Sequence, residues 1–150
     1  MNVNPIIIID NDDDDLELLQ TAFEELGIEN EIIVFNDGVN FLKFIKSTPN
    51  HPFFILCDIN MFPIDGLELK RRIYEDEELR LKCIPFVFLS TSKASDAIMK
   101  AYSVGVQGYF IKPNTLPEIK EILSYMINYW KYSQHPNLWF FSKCVTTKIY

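Results

Sequence analysis

Ile6-Ile7-Ile8-Ile9-Asp10-Asn11-Asp12-Asp13-Asp14-Asp15 is the stretch on which the fold turns. Four consecutive isoleucines lack the polar/apolar alternation of a strand with one wet face. A run of that length and composition fits a strand buried on both sides, as in a parallel sheet. The abrupt change to acid then marks where such a strand stops. Four more runs of the same kind follow, at 32–35, 53–57, 86–89 and 109–111, rich in Ile, Val and Phe.

Between the runs lie segments of helical period. Leu16, Leu19, Phe23 and Leu26 recur at three- and four-residue steps, and Gly27 follows as a C-cap. Phe41, Leu42 and Ile45 form a stripe after Asp37-Gly38, and Leu67, Leu69 and Ile73 form one after Asp65-Gly66. Ala97, Ile98, Ala101, Tyr102 and Val104 make a fourth, closed by Gly105. The fifth runs through Leu116, Ile119, Ile122, Leu123, Met126, Ile127 and Trp130, opens with Thr115 and Glu118 at capping-box spacing, and is expected to end at His135-Pro136. Five strands alternating with five helices predict right-handed βαβ units and an α/β, doubly wound, five-stranded parallel sheet with helices on both faces.

The composition agrees with one globular domain. A chain of 150 residues, 48% hydrophobic, can bury a core without metal or disulfide staples and is too apolar to stay disordered. A formal net charge of -7 argues against nucleic acid or an anionic membrane as the main partner. The apolar run at 6–9 is too short for a signal peptide or a membrane span, which predicts a cytoplasmic protein. Cys57, Cys83 and Cys144 form neither a disulfide framework nor a zinc pattern, so free thiols in a reducing compartment are expected. His51 and His135 have no ligand-spaced partners and are expected at the surface.

Ligands of an open parallel sheet bind off the carboxyl ends of its strands. There the sequence places Asp10, Asn11 and Asp12 after the first run, Asp58 after the third, Ser90 and Thr91 after the fourth, and Lys112-Pro113 after the fifth. Acids, hydroxyls and a lysine on one edge can hold a magnesium ion, accept a phosphoryl group on a carboxylate and clamp its oxygens. Asp13, Asp14 and Asp15 read more simply as first-turn helix acids favoured by the macrodipole, and Asp12 as either a cap or a site residue.

These elements, in order, resemble a response-regulator receiver domain, the phosphoacceptor half of two-component signalling. The match covers residues 5–129, with 32 residues from Asp58 to Ser90 and 22 from Ser90 to Lys112. The resemblance implies a CheY-like, flavodoxin-like sheet of order 2-1-3-4-5. It implies that Asp58 takes a phosphoryl group from a sensor histidine kinase or phosphotransfer protein. Asp10, Asn11, Asp58 and the backbone carbonyl of Asn60 would hold Mg2+, and Ser90 and Lys112 would bind the phosphoryl oxygens. Tyr109 matches the family's switch aromatic, and Lys112-Pro113 its cis peptide. Ser90-Thr91-Ser92 and an aromatic C-terminal extension are similar to small receivers that serve phytochrome-type kinases.

Two departures qualify the match. Asn11 stands where the family has a second acid, which implies weaker magnesium binding. Phe62 stands where a proline is usual, with Pro63 one place later. The receiver is expected over residues 1–132 and the extension over 133–150, with no output domain. Leu138-Trp139-Phe140-Phe141 in that extension predicts an interface, such as a homodimer. Two rival functions stay open: a pseudo-receiver binding module that is never phosphorylated, favoured by Asn11, and an aspartate-nucleophile phosphohydrolase with Asp10 as nucleophile and Asp12 as acid. At most, then, the chain catalyses its own phosphorylation and dephosphorylation.

Overall fold

A computed structural model describes residues 4–49 and 51–134. The parallel sheet has the order β2-β1-β3-β4-β5. Its strands are β1 (Ile6–Ile9), β2 (Ile32–Phe35), β3 (Phe54–Cys57), β4 (Phe86–Ser90) and β5 (Gly108–Ile111). The helices are α1 (Asp13–Leu26), α2 (Gly38–Ser47), α3 (Gly66–Glu75), α4 (Glu77–Leu81), α5 (Ser95–Ser103) and α6 (Leu116–Tyr132). The predicted order 2-1-3-4-5 is the observed one.

Strand alternation sorts the apolar residues into two cores. Ile6, Ile8, Phe54, Leu56, Val87 and Leu89 pack with α1 and α6, around Leu19, Phe23, Leu123 and Met126. Ile7, Ile9, Ile55, Cys57, Phe86 and Phe88 pack with α2, α3 and α5, around Phe41, Ile45, Leu69 and Ala101. Burying one such isoleucine is worth about 2 kcal/mol, so β1 alone, with all four buried, is a large part of the core. β2 and most of β5 are only half-buried. They are the edge strands, where an apolar run meets a neighbour on one side only.

The helix ends follow the sequence signals. Gly27 takes φ 62° at the end of α1. Asp37 and Asp65 cap α2 and α3, accepting from the N–H groups of Asn40 and Glu68. Thr115 Oγ1 accepts from the Glu118 N–H, 3.4 Å away, at the start of α6. The helix ends at Tyr132, before His135-Pro136, which lies outside the described residues with Leu138-Trp139-Phe140-Phe141 and Cys144.

Three expectations are corrected. The short helix α4, capped by Asp76, is additional. Among the described residues the cis X-Pro bond is Phe62–Pro63, and Lys112–Pro113 is trans. His51 is buried where the chain enters β3; burial and the nearby Lys82 charge lower its pKa to about 4. Among the described residues no helix is long and apolar enough to cross a membrane.

Candidate functional site

Strand register assembles the site. Ile9 of β1 is opposite Cys57 of β3, so Asp10 and Asp58 leave neighbouring strands side by side. The Asp58 N–H donates to the Ile9 carbonyl at 2.9 Å, and the Asp10 N–H to the Phe35 carbonyl at 3.0 Å. β4 ends on Ser90, opposite Ile111, and the Lys112 N–H donates to the Ser90 carbonyl at 2.8 Å. Asp10, Asp58, Ser90 and Lys112 therefore share the carboxyl edge as the sequence predicted.

Lys112 is the hub. Its ammonium lies 2.6 Å from Asp15 Oδ2, 3.2 Å from Asp10 Oδ2 and 3.7 Å from Asp58 Oδ1. Asp58 is 8% exposed and Asp10 2%. Burial pushes both carboxyl groups above the ordinary aspartate range, against the pull of Lys112 and of backbone N–H donors, from Asp12 to Asp10 and from Ile59 and Asn60 to Asp58. Burial by itself would lower the Lys112 pKa, but the three surrounding carboxylates hold it above the usual lysine value. One cation thus serves three acids, two of them buried, leaving an excess of buried negative charge.

Asp15 is the member that sequence reasoning missed. Its place in the first turn of α1 hid it among helix-start acids, although it lies four residues before the buried Leu19 and so on the sheet-facing stripe. Asp13 and Asp14 are exposed first-turn acids, as expected. Asp12 is the N-cap: its Oδ1 accepts from the Asp15 N–H at 3.0 Å. That gives Asp12 a capping role at the start of α1. Asn11 and Asn60 are exposed, the first directly after Asp10 and the second two residues after Asp58.

Ser90 is buried, and its Oγ accepts from the Ser92 N–H at 3.2 Å. The half-buried Tyr109 donates its hydroxyl to the Ser92 carbonyl at 2.7 Å, and its ring meets Phe88 edge-on at 6.4 Å between centroids. The peptide groups of Ser92, unassigned from sequence, therefore join Ser90 to Tyr109. Gly66 closes the loop after β3. A Cβ there would fall on the Asp58 carbonyl oxygen and come within 2.9 Å of the Ile59 Cα, so only glycine fits. Cys57 is fully buried in the core on the α3 side; its thiol donates to the Asp58 carbonyl at 3.0 Å, and burial raises its pKa well above the usual thiol value, which keeps it unreactive.

Among the described residues no three His, Cys, Asp or Glu side chains are arranged to hold a metal ion. The carboxylates gathered around Lys112 at this edge are those of Asp10, Asp15 and Asp58.

The fold and the pocket together define a flavodoxin-like α/β domain with an acidic, lysine-bearing site at its carboxyl edge. The response regulator receiver domain model matches residues 6–124, and the chain belongs to that family, in the two-component class. Response regulator Rcp1 of Synechocystis sp. is 26% identical over 130 residues, covering 83% of this chain and 87% of that protein. Chemotaxis protein CheY-3 of Vibrio cholerae is 30% identical over 118 residues, covering 79% and 87%. The phosphorylated cyanobacterial phytochrome response regulator RcpA superposes with a TM-score of 0.77 at 25% identity, over 89% of this chain and 98% of that one. The Mn(2+)-bound form of Rcp1 superposes with a TM-score of 0.75 at 24% identity, over 89% and 98%.

Proposed function

We propose that Asp58 is the phosphoacceptor of this receiver and that its phosphorylation switches protein contacts. The observation that carries this reading is the placement of Asp58: buried at the end of the central strand, with the Lys112 ammonium 3.7 Å from its Oδ1 and Ser90 ending the next strand. An Asp58 carboxylate oxygen attacks the phosphorus of a phosphohistidine on a histidine kinase or phosphotransfer protein. The P–N bond breaks, its electron pair stays on the imidazole, and an acyl phosphate forms. A carboxylate is a weak nucleophile, so in-line positioning and charge neutralisation supply the acceleration. Lys112 pairs with one phosphoryl oxygen and the Ser90 hydroxyl donates to another.

The donor set suits a hard divalent cation, because the excess buried negative charge on Asp10 and Asp58 is the condition such an ion relieves. Asp10, Asp58, the Asn11 amide oxygen and the Asn60 carbonyl would hold Mg2+. When bound, it supplies positive charge against the phosphoryl oxygens. Asn11 brings no charge, so the affinity is expected to be below that of a two-acid site.

A shift of Ser90 toward the phosphoryl group would break the contact its Oγ accepts from the Ser92 N–H and, through the Ser92 carbonyl, release Tyr109. Tyr109 borders a face of α5, β5 and α6 that exposes Met99, Tyr102, Tyr125 and Tyr129, and that is the face the resemblance implies for partner docking, whether a kinase or a second copy. Beryllofluoride with Mg2+, a phosphoryl mimic, should shift the NMR signals of Ser90, Ser92, Tyr109 and this face. Shifts confined to Asp58 and its neighbours in sequence would remove the switch from the reading.

A second reading has one observation in its favour. Asn11 is uncharged and Asp15 already holds Lys112 at 2.6 Å, an arrangement that would also suit a binding module that is never phosphorylated. Phosphorylation of Asp58 by any phosphodonor excludes it. Residues 133–150 are proposed as an extension outside the receiver. Sedimentation of the full chain and of a chain ending at Gln134 should show whether they support a homodimer.

A further inference from the structure

The opposite edge of the sheet carries a second site, built on the reverse charge pattern. Lys70 falls on the apolar stripe of α3, with Gly66, Leu69 and Ile73, and is only 7% exposed. Its ammonium lies 5.8 Å from the Tyr74 ring centroid and 5.7 Å from that of Phe86. Among the described residues no carboxylate pairs with it. Burial alone lowers its pKa, with no charged group entering the balance. Aromatic faces offset only part of the cost of burying an ammonium, so this cation lacks the counter-ion its burial calls for.

Lys70 lines a cavity of about 330 Å³ at the amino ends of β3 and β4, closed by α3 and α4. The walls are apolar, with Ile55, Ile73, Leu79 and Phe86 among them. At the mouth, the exposed Arg80 donates from Nη1 to the Tyr74 carbonyl at 2.9 Å, and its guanidinium stands 5.9 Å from the Tyr74 ring. The cavity thus offers an apolar body, one buried cation at its wall and a second at its rim.

We infer that this cavity binds a small monocarboxylate with an aromatic or branched aliphatic body, its carboxylate on Lys70 and its apolar part between Tyr74, Phe86 and Leu79. A single carboxylate matches a single buried ammonium, while the apolar walls disfavour a polyanion such as a nucleotide, whose remaining charges would be stripped of water. The site is independent of the Asp58 chemistry: β3 and β4 run between the two edges, with Ile55 and Phe86 at one end and Cys57 and Ser90 at the other.

The test is an NMR titration of the full-length chain with 1-naphthoate, and in parallel with the neutral 1-naphthalenemethanol. The expected result is saturable shifts centred on Ile73, Tyr74, Phe86 and Gly105, with the carboxylate bound about tenfold more tightly than the alcohol, as one charge-assisted hydrogen bond implies. Lys70→Met should remove that preference and leave the alcohol bound as before. Absence of saturation, shifts centred on the α5–β5–α6 face, or equal affinity for acid and alcohol in the unsubstituted chain would each overturn the assignment. So would an undiminished preference in Lys70→Met.

Discussion

The two edges of the sheet handle charge in opposite ways. At the carboxyl edge three aspartates share one lysine; at the amino edge one lysine is buried with no acid paired to it among the described residues. The first lysine holds its surroundings together, and the second burdens them. A buried charge stabilises only when its neighbours need it, and its burial alone does not say which case applies.

Substituting the two lysines should separate these cases most sharply. Lys112→Met leaves Asp10 and Asp58 buried without their cation, and should cost about 2–4 kcal/mol of stability in urea or thermal unfolding. Lys70→Met removes an uncompensated ammonium and fits an apolar stripe. It should stabilise by about 1–2 kcal/mol, raising Tm by about 2–4 °C per kcal/mol. Equal losses in both variants would show that the edges do not differ in this way.

A smaller effect is expected at Asn11. Restoring a carboxylate about 4 Å from the ion could gain up to roughly 4 kcal/mol at an effective dielectric of ~20. Water and relaxation reduce this to about one or two, a ten- to thirtyfold tightening of Mg2+ binding. Asn11→Asp should therefore bind Mg2+ more tightly in a fluorescence or NMR titration. The metal-free fold should become slightly less stable, because the edge already has more acid than Lys112 can neutralise. If the unsubstituted chain binds as tightly, Asn11 is not a weak point.

A further contrast between the edges lies in the pH dependence. His51, near the amino edge, has a folded pKa lowered to about 4, so its contribution is present above its unfolded value near 6.5 and is lost as pH falls toward 4. Asp10 and Asp58 have raised folded values, so their contribution is complete below the unfolded value near 3.8 and is lost as pH rises through the folded ones. Acidification from neutral pH therefore works against one edge and relieves the other. Denaturation curves between about pH 7 and 4 should show His51→Gln losing less stability on acidification than the unsubstituted chain. Asp58→Asn should be more stable than the unsubstituted chain at pH 7, with the gain fading toward pH 4. Parallel curves for all three would contradict these assignments.

The sequence carried the fold because local and global signals agreed: continuous apolar runs for central strands, Gly27 and Asp37 at helix ends, Asp65-Gly66 in the loop beneath Asp58. It also carried Asp10, Asp58, Ser90 and Lys112, since strand ends and ligand edge coincide in this architecture. What it hid had ordinary local explanations. Asp15 looked like a helix-start acid, and Lys70 was not singled out at all. α4, at five residues, is too short to show a period. His51 lacked partners in sequence, and its burial is a tertiary effect that no local pattern signals. Lys70 had one available signal, a lysine on the 66/69/70/73 stripe, which a check of each stripe for misplaced charge would find.

The most direct test is intact-mass spectrometry after incubation with acetyl phosphate and Mg2+, on the unsubstituted chain and on Asp58→Ala. The account predicts one added phosphoryl group on the unsubstituted chain, released by hydroxylamine as an acyl phosphate is, and none on Asp58→Ala. A modification that persists in Asp58→Ala, or an unsubstituted chain that stays unmodified, would contradict it.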